Sequence, residues 1–287
     1  FNGLPTVFRI GDGVYNVCSF SEDDQLPPSL VLPAGLTIRS DHGPGSTRIV
    51  CDPEESSPAL QQVVLLEPGS ALIGVDVDCG PLCQLSNKPA IRVISGDNAS
   101  SELAFVTATG GDGVAVEVDF ETSDGMPIAV SGEVRISHSL FYASDTGVQV
   151  HADGGDGLGT VTVNLFDTIF RDCENGYVVE SASGEVSVDA YDLNAASNHM
   201  CGVVDPADES GDSPSLTGSL IGGNGTATCG GCIPSPATGA FNGALIKPSC
   251  VLFQAGTDFE PHDGGAFPSD IGPVQGATGC GYSLFPG

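Results

Sequence analysis

Apolar and polar residues alternate in three similar segments in the middle of the chain. The segments run from Val134 to His151, from Val161 to Glu180 and from Val186 to Val204. Each opens with two apolar residues on either side of a polar one, passes through a polar bend, and resumes with a second apolar run. A period of two predicts β-strands rather than helices, and the recurrence predicts a repeat architecture.

A small residue stands in front of five of these apolar runs. The five are Ala90, Gly113, Gly147, Gly176 and Gly202, so the steps between them are 23, 34, 29 and 26 residues. An irregular period predicts a solenoid of stacked β-coils, because insertions fall in the turns and leave the strands in place. A propeller blade would need a longer unit of about 40–50 residues.

The composition fits short strands and turns, and the charge restricts the partners. The 287 residues include 40 glycines and 20 prolines, and no apolar run reaches the length of about 18 residues that a transmembrane helix needs. With 37 acidic and 8 basic residues, the net charge is −29. Such a surface repels nucleic-acid phosphates, anionic membranes and polyuronate chains. We therefore expect neither a nucleic-acid partner nor membrane insertion.

The cysteine content predicts disulfides and an oxidising compartment, without fixing the pairs. The candidates are Cys18, Cys51, Cys79, Cys83, Cys173, Cys201, Cys229, Cys232, Cys250 and Cys280. Glycosylation sequons occur at Asn98 and Asn224. Because the numbering begins at Phe1 rather than at a methionine, we interpret the chain as a product of signal-peptide removal. The predicted localisation is secreted, extracellular or at the cell surface.

The N-terminal part carries a series of short motifs. They are Gly13-Val14-Tyr15, then PAGLTIR from Pro33 to Arg39, then GPGSTRI from Gly43 to Ile49. This series resembles the opening coils of the pectin-lyase-like superfamily, and the later segments resemble its generic repeat, over roughly Thr6 to Val204. The resemblance implies an all-β fold, namely a right-handed, single-stranded parallel β-helix.

Two regions are predicted, with a boundary after Val204. Residues 1–204 are expected to form the parallel β-helix. Beyond them the chain becomes acidic at Asp205–Ser215 and rich in glycine and threonine at Gly222–Gly231. We expect residues 205–287 to form terminal coils and a disulfide-stapled, Gly/Pro/Cys-rich cap or assembly tail, because the open end of a solenoid exposes its core and its strand edges.

Aligning the three central segments places His138, Asp167 and Asp192 at equivalent positions. Successive coils stack about 4.8 Å apart, so these side chains are close enough to share a proton or a metal. The resemblance implies a related use, because glycan-hydrolysing members of the superfamily carry stacked acidic residues. The alternative, which we favour, is a polar ladder at a bend, where turn chemistry alone accounts for the residues.

The known catalytic signatures of the superfamily are not found in this sequence. A lyase would need a basic proton abstractor, for which the candidates are Lys88, Arg92, Arg135 and Arg171, but no lyase signature surrounds them. The acidic motif of polygalacturonases is also missing, since Asp76-Val77-Asp78 has unsuitable neighbours. This departure puts either kind of catalysis in doubt, and the sequence favours a protein that is not an enzyme.

The candidates for metal binding are two cysteines and three aspartates. Cys229 and Cys232 have the spacing of metal ligands, but no second pair accompanies them, and a disulfide suits an extracellular chain better. Asp205, Asp208 and Asp212 offer oxygen ligands for calcium without the EF-hand pattern. We expect no required cofactor, with calcium as the one ion to consider.

The sequence supports two classes of function. The first is a structural protein, a subunit of an extracellular filament, sheath or adhesive layer that self-associates into a polymer or attaches to other surface proteins. The alternative is a carbohydrate-active enzyme, either a polysaccharide lyase or a glycoside hydrolase, or a glycan-binding module, using a groove near His138. Its lining would come from Phe141, Tyr142, Phe166, Phe170 and Tyr191, although the phenylalanines also suit the core.

Overall fold

A computed structural model describes most of the N-terminal two thirds of the chain and shorter pieces beyond. The described residues are 6–17, 30–51, 62–80, 88–96, 98–119, 130–153, 160–181, 185–191, 193–196, 201–204, 215–217, 220–222, 241–242, 247–249 and 252–253. Their strands are β1 (Thr6–Ile10), β2 (Gly13–Asn16), β3 (Leu30–Leu32), β4 (Leu36–Ser40), β5 (Thr47–Val50), β6 (Val64–Leu66), β7 (Ala71–Ile73), β8 (Asp76–Asp78), β9 (Ile91–Ile94), β10 (Ala99–Ala104), β11 (Thr107–Thr109), β12 (Val114–Asp119), β13 (Gly132–Ser137), β14 (Leu140–Tyr142), β15 (Thr146–Asp153), β16 (Thr160–Phe166), β17 (Ile169–Arg171), β18 (Asn175–Ser181), β19 (Glu185–Tyr191), β20 (Asn194–Ala196), β21 (Cys201–Val204), β22 (Ser215–Thr217), β23 (Leu220–Gly222), β24 (Phe241–Asn242), β25 (Lys247–Ser249) and β26 (Leu252–Phe253).

The strands form three parallel sheets. Sheet A contains nine strands in the order β1-β4-β7-β10-β13-β16-β19-β22-β25, and sheet B contains nine in the order β2-β5-β8-β11-β14-β17-β20-β23-β26. Sheet C contains eight, in the order β24-β21-β18-β15-β12-β9-β6-β3. Neighbours in a sheet are three strands apart along the chain, so each turn adds one strand to each sheet. The protein is therefore an all-β parallel β-solenoid, as the repeats predict.

The core runs along the axis of the solenoid between the three sheets. In sheet A the register aligns Ile38, Leu72, Leu103, Ile136 and Leu165 in one column, and all five are buried. Parallel in-register stacking places like positions over like, so a period-two pattern repeated in each turn produces a continuous apolar column. Each fully buried Leu or Ile contributes roughly 1.5–3 kcal/mol to folding.

Each of the three central segments forms one turn of the solenoid. Val134–His151 spans β13, β14 and β15, and the next segment spans β16, β17 and β18. The third spans β19, β20 and β21. The polar bends predicted within the segments are the corners between the sheets. The repeat prediction is thus confirmed at the level of individual strands.

The five small residues found by their spacing form one column near the start of the sheet C strands. The pairs Val114–Val148, Val148–Tyr177 and Tyr177–Val203 align Gly113, Gly147, Gly176 and Gly202, and Ala90 precedes Ile91 at the same level. A Cβ atom on Gly147 would lie 2.4 Å from the carbonyl oxygen of Gly176. Close packing of the backbone at this corner therefore selects small residues, whatever the length of the loops between them.

Strands also continue beyond Val204. β22 and β25 extend sheet A, β23 and β26 extend sheet B, and β24 extends sheet C. The rest of residues 205–287, including the predicted cap, lies outside the described residues. Within the described part of the chain, no helix is long and apolar enough to cross a membrane.

The structure corrects the predicted role of one cysteine. Cys51 and Cys79 are disulfide-bonded, but Cys173 carries a thiol, buried at the corner that follows β17. Its Sγ lies 3.6 Å from the carbonyl oxygen of Phe141 and 3.5 Å from that of Arg171, both of which accept hydrogen bonds from it. The position faces the core, so the sulfur acts there as a small apolar group. The side chains of the other seven predicted disulfide cysteines are outside the described ones.

We expect the thiol of Cys173 to resist alkylation in the folded protein. Burial raises the pKa of this thiol from 9.0 to about 11. The buried thiol therefore stays protonated at neutral pH, and its contribution to the stability of the fold is complete below pH 9. This contribution is lost as the pH rises toward 11. Mass spectrometry after a pulse of iodoacetamide at pH 8 should show Cys173 labelled only in denaturant. A Cys173→Ser variant provides the blank, and equal labelling rates in native and denaturing buffer would contradict the buried position.

Candidate functional site

The chain passes from sheet A to sheet B through a sharp corner in each turn. Four residues in register at this corner, Gly74, Phe105, His138 and Asp167, have positive φ angles of 72°, 54°, 49° and 45°. Each corner is tied to the next, since the N–H of Phe105 donates to Ser137 and that of His138 donates to Phe166, both at 3.0 Å. We call these four stacked residues the corner ridge.

Buried polar side chains on the core side of the ridge hold its backbone in place. The residue after each ridge position points inward, and Ser139 and Thr168 are buried there. Ser139 Oγ donates to the carbonyl of Ser137 at 2.8 Å and accepts from the N–H of Val106 at 3.2 Å. Thr168 Oγ1 donates to the carbonyl of Phe166 at 3.1 Å. The backbone of the ridge is therefore held in one geometry, which keeps its outward side chains in register.

His138 and Asp167 form a direct pair on the ridge. His138 Nδ1 lies 2.8 Å from Asp167 Oδ2, and both side chains are partly exposed. The predicted stacking of these two residues is confirmed, whereas Asp192 lies outside the described residues. The hydrogen bond orients the imidazole and leaves Nε2 as the nitrogen able to exchange a proton with a bound molecule.

Two aromatic rings contact the histidine of this pair. Phe105 stacks on His138 with ring centroids 4.8 Å apart and planes 17° apart, and Phe166 meets His138 edge-on at 5.5 Å. Phe105 is 50% exposed and Phe166 is 44% exposed. The other neighbour of Phe105 in the column is Gly74, which has no side chain to cover the ring. Sequence reasoning missed Phe105, although aligning it with His138 in the preceding turn would have found it.

The predicted aromatic lining of a groove is partly wrong. Phe141 and Phe170 are fully buried and stack on each other inside the core, with centroids 5.6 Å apart. They alternate inward along sheet B, which agrees with the interpretation of them as core residues. Tyr142 is exposed on sheet B, and the side chain of Tyr191 is outside the described ones.

A polar network lies on the outer face of sheet A, on the strands that lead to the ridge. Glu133 accepts hydrogen bonds from Arg135 Nε at 2.7 Å, Asn164 Nδ2 at 2.8 Å and Ser100 Oγ at 3.2 Å. The bond from Arg135 is the main reason why the pKa of Glu133 lies below its ordinary value. We call these four residues the sheet A network. It holds a carboxylate, a guanidinium and an amide in fixed positions.

The other basic candidates are engaged elsewhere. Arg92 pairs with Glu117 on sheet C, and Arg171 pairs with Asp172 at 3.1 Å at the far end of β17. Lys88 precedes sheet C and is exposed. Of the four proposed proton abstractors, only Arg135 lies on β13, the strand that leads to His138. Its guanidinium donates a hydrogen bond to Glu133. Asp76 and Asp78 both face outward on β8, as alternation predicts.

A second histidine–aspartate pair occupies the same corner in the first two turns. His42 Nδ1 lies 2.7 Å from Asp12 Oδ1, and this hydrogen bond is the main reason why the pKa of His42 is raised. Histidine–aspartate pairing is thus a recurrent way of joining successive corners, which agrees with the interpretation of the column as a polar ladder.

The described residues contain no group of three or more His, Cys, Asp or Glu side chains placed to hold a metal ion. The calcium candidates Asp205, Asp208 and Asp212 lie outside them, as does Asn224. Asn98 is exposed at a turn with a φ of 54°, so this sequon is accessible.

No protein-family model matches the chain, and neither a curated protein nor a solved structure matches it.

Proposed function

We propose that this protein is a secreted or cell-surface β-solenoid that binds carbohydrate at the corner ridge and the adjoining sheet A network. The observation that carries the proposal is Phe105, a bulky side chain with positive φ whose ring is half exposed. Such a conformation is an outlier for a phenylalanine and costs of order 1–3 kcal/mol. Folding alone does not require a phenylalanine here, since Gly74 fills the equivalent position one turn earlier.

The uncovered face of Phe105 provides an apolar platform beside hydrogen-bonding groups. Sugar rings present both kinds of surface, with an apolar face and a rim of hydroxyls. The His138–Asp167 pair lies next to the platform. The residues of the sheet A network lie two to four positions before the ends of the strands that lead to the ridge. At about 3.3 Å per residue along a strand, the platform and the network together span the length of a short oligosaccharide.

The charge of the protein narrows the class of sugar. At a net charge of −29, a polyuronate would be repelled at long range. The ligand that fits is a neutral polysaccharide or one that carries amino groups. Arg135 does not reverse this preference, because its charge is already paired with Glu133.

We further propose that the solenoid is right-handed and pectin-lyase-like. The motifs from Gly13 to Ile49 support a right-handed, pectin-lyase-like solenoid, and the disulfide-bonded Cys51 and Cys79 support an oxidising, extracellular location. A cap stapled by the cysteines between Cys229 and Cys280 would close the C-terminal end.

The proposal is tested by a Phe105→Ala variant in affinity electrophoresis against a panel of neutral, cationic and anionic polysaccharides. Loss of the stacking surface should weaken binding about tenfold, which corresponds to about 1.4 kcal/mol. Tyr142→Ala is the matched control, because it removes an exposed ring from sheet B without touching the ridge. Equal binding by the two variants, or no binding by the unmodified protein to any of the panel, would overturn the proposal.

The same panel separates binding from catalysis. If the His138–Asp167 pair transfers protons to a substrate, Asp167→Asn should abolish the release of reducing ends or unsaturated products. If the ridge only binds, no products form with either protein. Turnover that survives Asp167→Asn unchanged would remove this pair as the catalytic group.

A further inference from the structure

The turn that leads from sheet C into sheet A carries one of the two glycosylation sequons of the chain. Asn98, Ala99 and Ser100 form the Asn-x-Ser pattern, and β10 begins at Ala99, directly after the asparagine. Asn98 and Ser100 are exposed. The φ angle of Asn98 is 54°, a left-handed conformation that asparagine adopts more readily than most residues. The acceptor side chain therefore lies at the surface, on a corner of the solenoid.

The backbone around Asn98 is held in place, whereas its carboxamide is not. The N–H of Asn98 donates to the carbonyl of Ser131 at 2.7 Å, and that of Ala99 donates to the carbonyl of Gly96 at 3.0 Å. The carboxamide of Asn98 makes no hydrogen bond to any residue that the structure describes. An oligosaccharide attached to its nitrogen would therefore displace no hydrogen bond of the described fold.

The attachment reaction joins the amide nitrogen of Asn98 to the anomeric carbon of an oligosaccharide that is carried on a lipid pyrophosphate. The new N–C bond forms as the C–O bond between the sugar and the pyrophosphate breaks. The lipid pyrophosphate leaves with the electron pair of that bond, and the amide nitrogen gives up one proton. The reaction needs neither an oxidant nor a reductant. Its product is a bulky, solubilising group on the surface of the protein.

The order in which the chain is made leaves time for this reaction. In the folded protein Ser100 Oγ donates to Glu133 Oε2 at 3.2 Å, and the two residues are 33 positions apart. The strand that pairs with β10 on this side, β13, therefore emerges from synthesis well after the sequon. During that interval the hydroxyl of Ser100 and the carboxamide of Asn98 belong to an unpaired segment, which a transferase can bind.

We infer that Asn98 carries an N-linked oligosaccharide in the secreted protein. The disulfide-bonded Cys51 and Cys79 agree with passage through an oxidising compartment. Asn98 lies at one end of β10 and Phe105 at the other, about 20 Å away at about 3.3 Å per residue. The oligosaccharide would thus lie beside sheet A and leave the ring of Phe105 uncovered. The inference rests on the proposed secretion of the protein but not on carbohydrate binding at the ridge.

The test is secretion of the full chain from a eukaryotic host, followed by peptide mass spectrometry after digestion with a peptide N-glycosidase in heavy-oxygen water. This enzyme leaves a labelled aspartate wherever an asparagine carried a glycan, so we expect the label at position 98. Asn98→Asp should abolish this glycan while keeping a short side chain that tolerates the positive φ. Ser100→Ala should abolish it too, because it breaks the sequon and leaves Asn98 in place.

Ser100→Thr is the matched control, since it changes the same residue but preserves the sequon and should keep the glycan. Asn224→Gln removes the second sequon, so that the glycans at the two positions are counted separately. A secreted protein that is unmodified at Asn98 overturns the inference alone, and so does a glycan that survives Ser100→Ala. A chain that the host does not secrete overturns the proposed location and the inference together.

Discussion

Replacing Gly147 with alanine is expected to lower the free energy of unfolding by about 3 kcal/mol or more. The added Cβ would lie 2.4 Å from the carbonyl oxygen of Gly176 and 2.5 Å from Cδ1 of Phe170. Neither neighbour can give way cheaply. The first belongs to the backbone of the next turn, and the second is a ring packed inside the core. Because Gly113 and Gly176 belong to the same column, a shift at Gly147 disturbs the turns on both sides.

Urea unfolding followed by circular dichroism measures this effect. Gly11→Ala provides the control, because a Cβ at Gly11 would meet nothing within 4 Å. The control should stay within about 0.5 kcal/mol of the unmodified protein. A Gly147→Ala variant as stable as the control would show that the corner is not packed as described.

The parts of the fold that were predictable from the sequence are those set by repetition. In-register stacking makes one turn resemble the next. We could therefore predict which strands pair from the spacing of Gly113, Gly147 and Gly176 and from the alternation around them. The alignment of His138 with Asp167 followed for the same reason. A column in a solenoid can be found by matching segments, even where the loops differ in length.

What was not predictable depends on corners and on the direction of single side chains. Apolar residues recur on both sides of Gly74, yet the positive φ of this glycine turns the chain and divides the segment into β7 and β8. Continued alternation after β10 would place the side chain of Phe105 in the core. Its positive φ instead turns the ring outward, where it stacks on His138. Cys173 was counted as a disulfide candidate because composition cannot distinguish a buried thiol from a bridged one.

Removing the ring of Phe170 is expected to cost about 3–5 kcal/mol of stability. Phe170 is fully buried, stacks on Phe141 and meets Tyr177 at a centroid distance of 6.2 Å. These three rings pack against one another in the core of the central turns. Truncation to alanine leaves a cavity that the hydrogen-bonded turns on either side cannot collapse to fill, so the cost includes a cavity term as well as lost transfer free energy.

The exposed ring of Phe166 provides the comparison, since Phe166→Ala on the preceding strand of the chain, β16, should cost less than about 1 kcal/mol. Urea unfolding of the two variants shows how far the loss of stability depends on burial of the ring rather than on the loss of a phenylalanine. Double replacement of Phe141 and Phe170 should cost less than the sum of the single replacements, because the second ring is removed from a cavity that the first has already opened. Additive costs would mean that the two rings do not share a packing environment, which would contradict the register that places β14 beside β17.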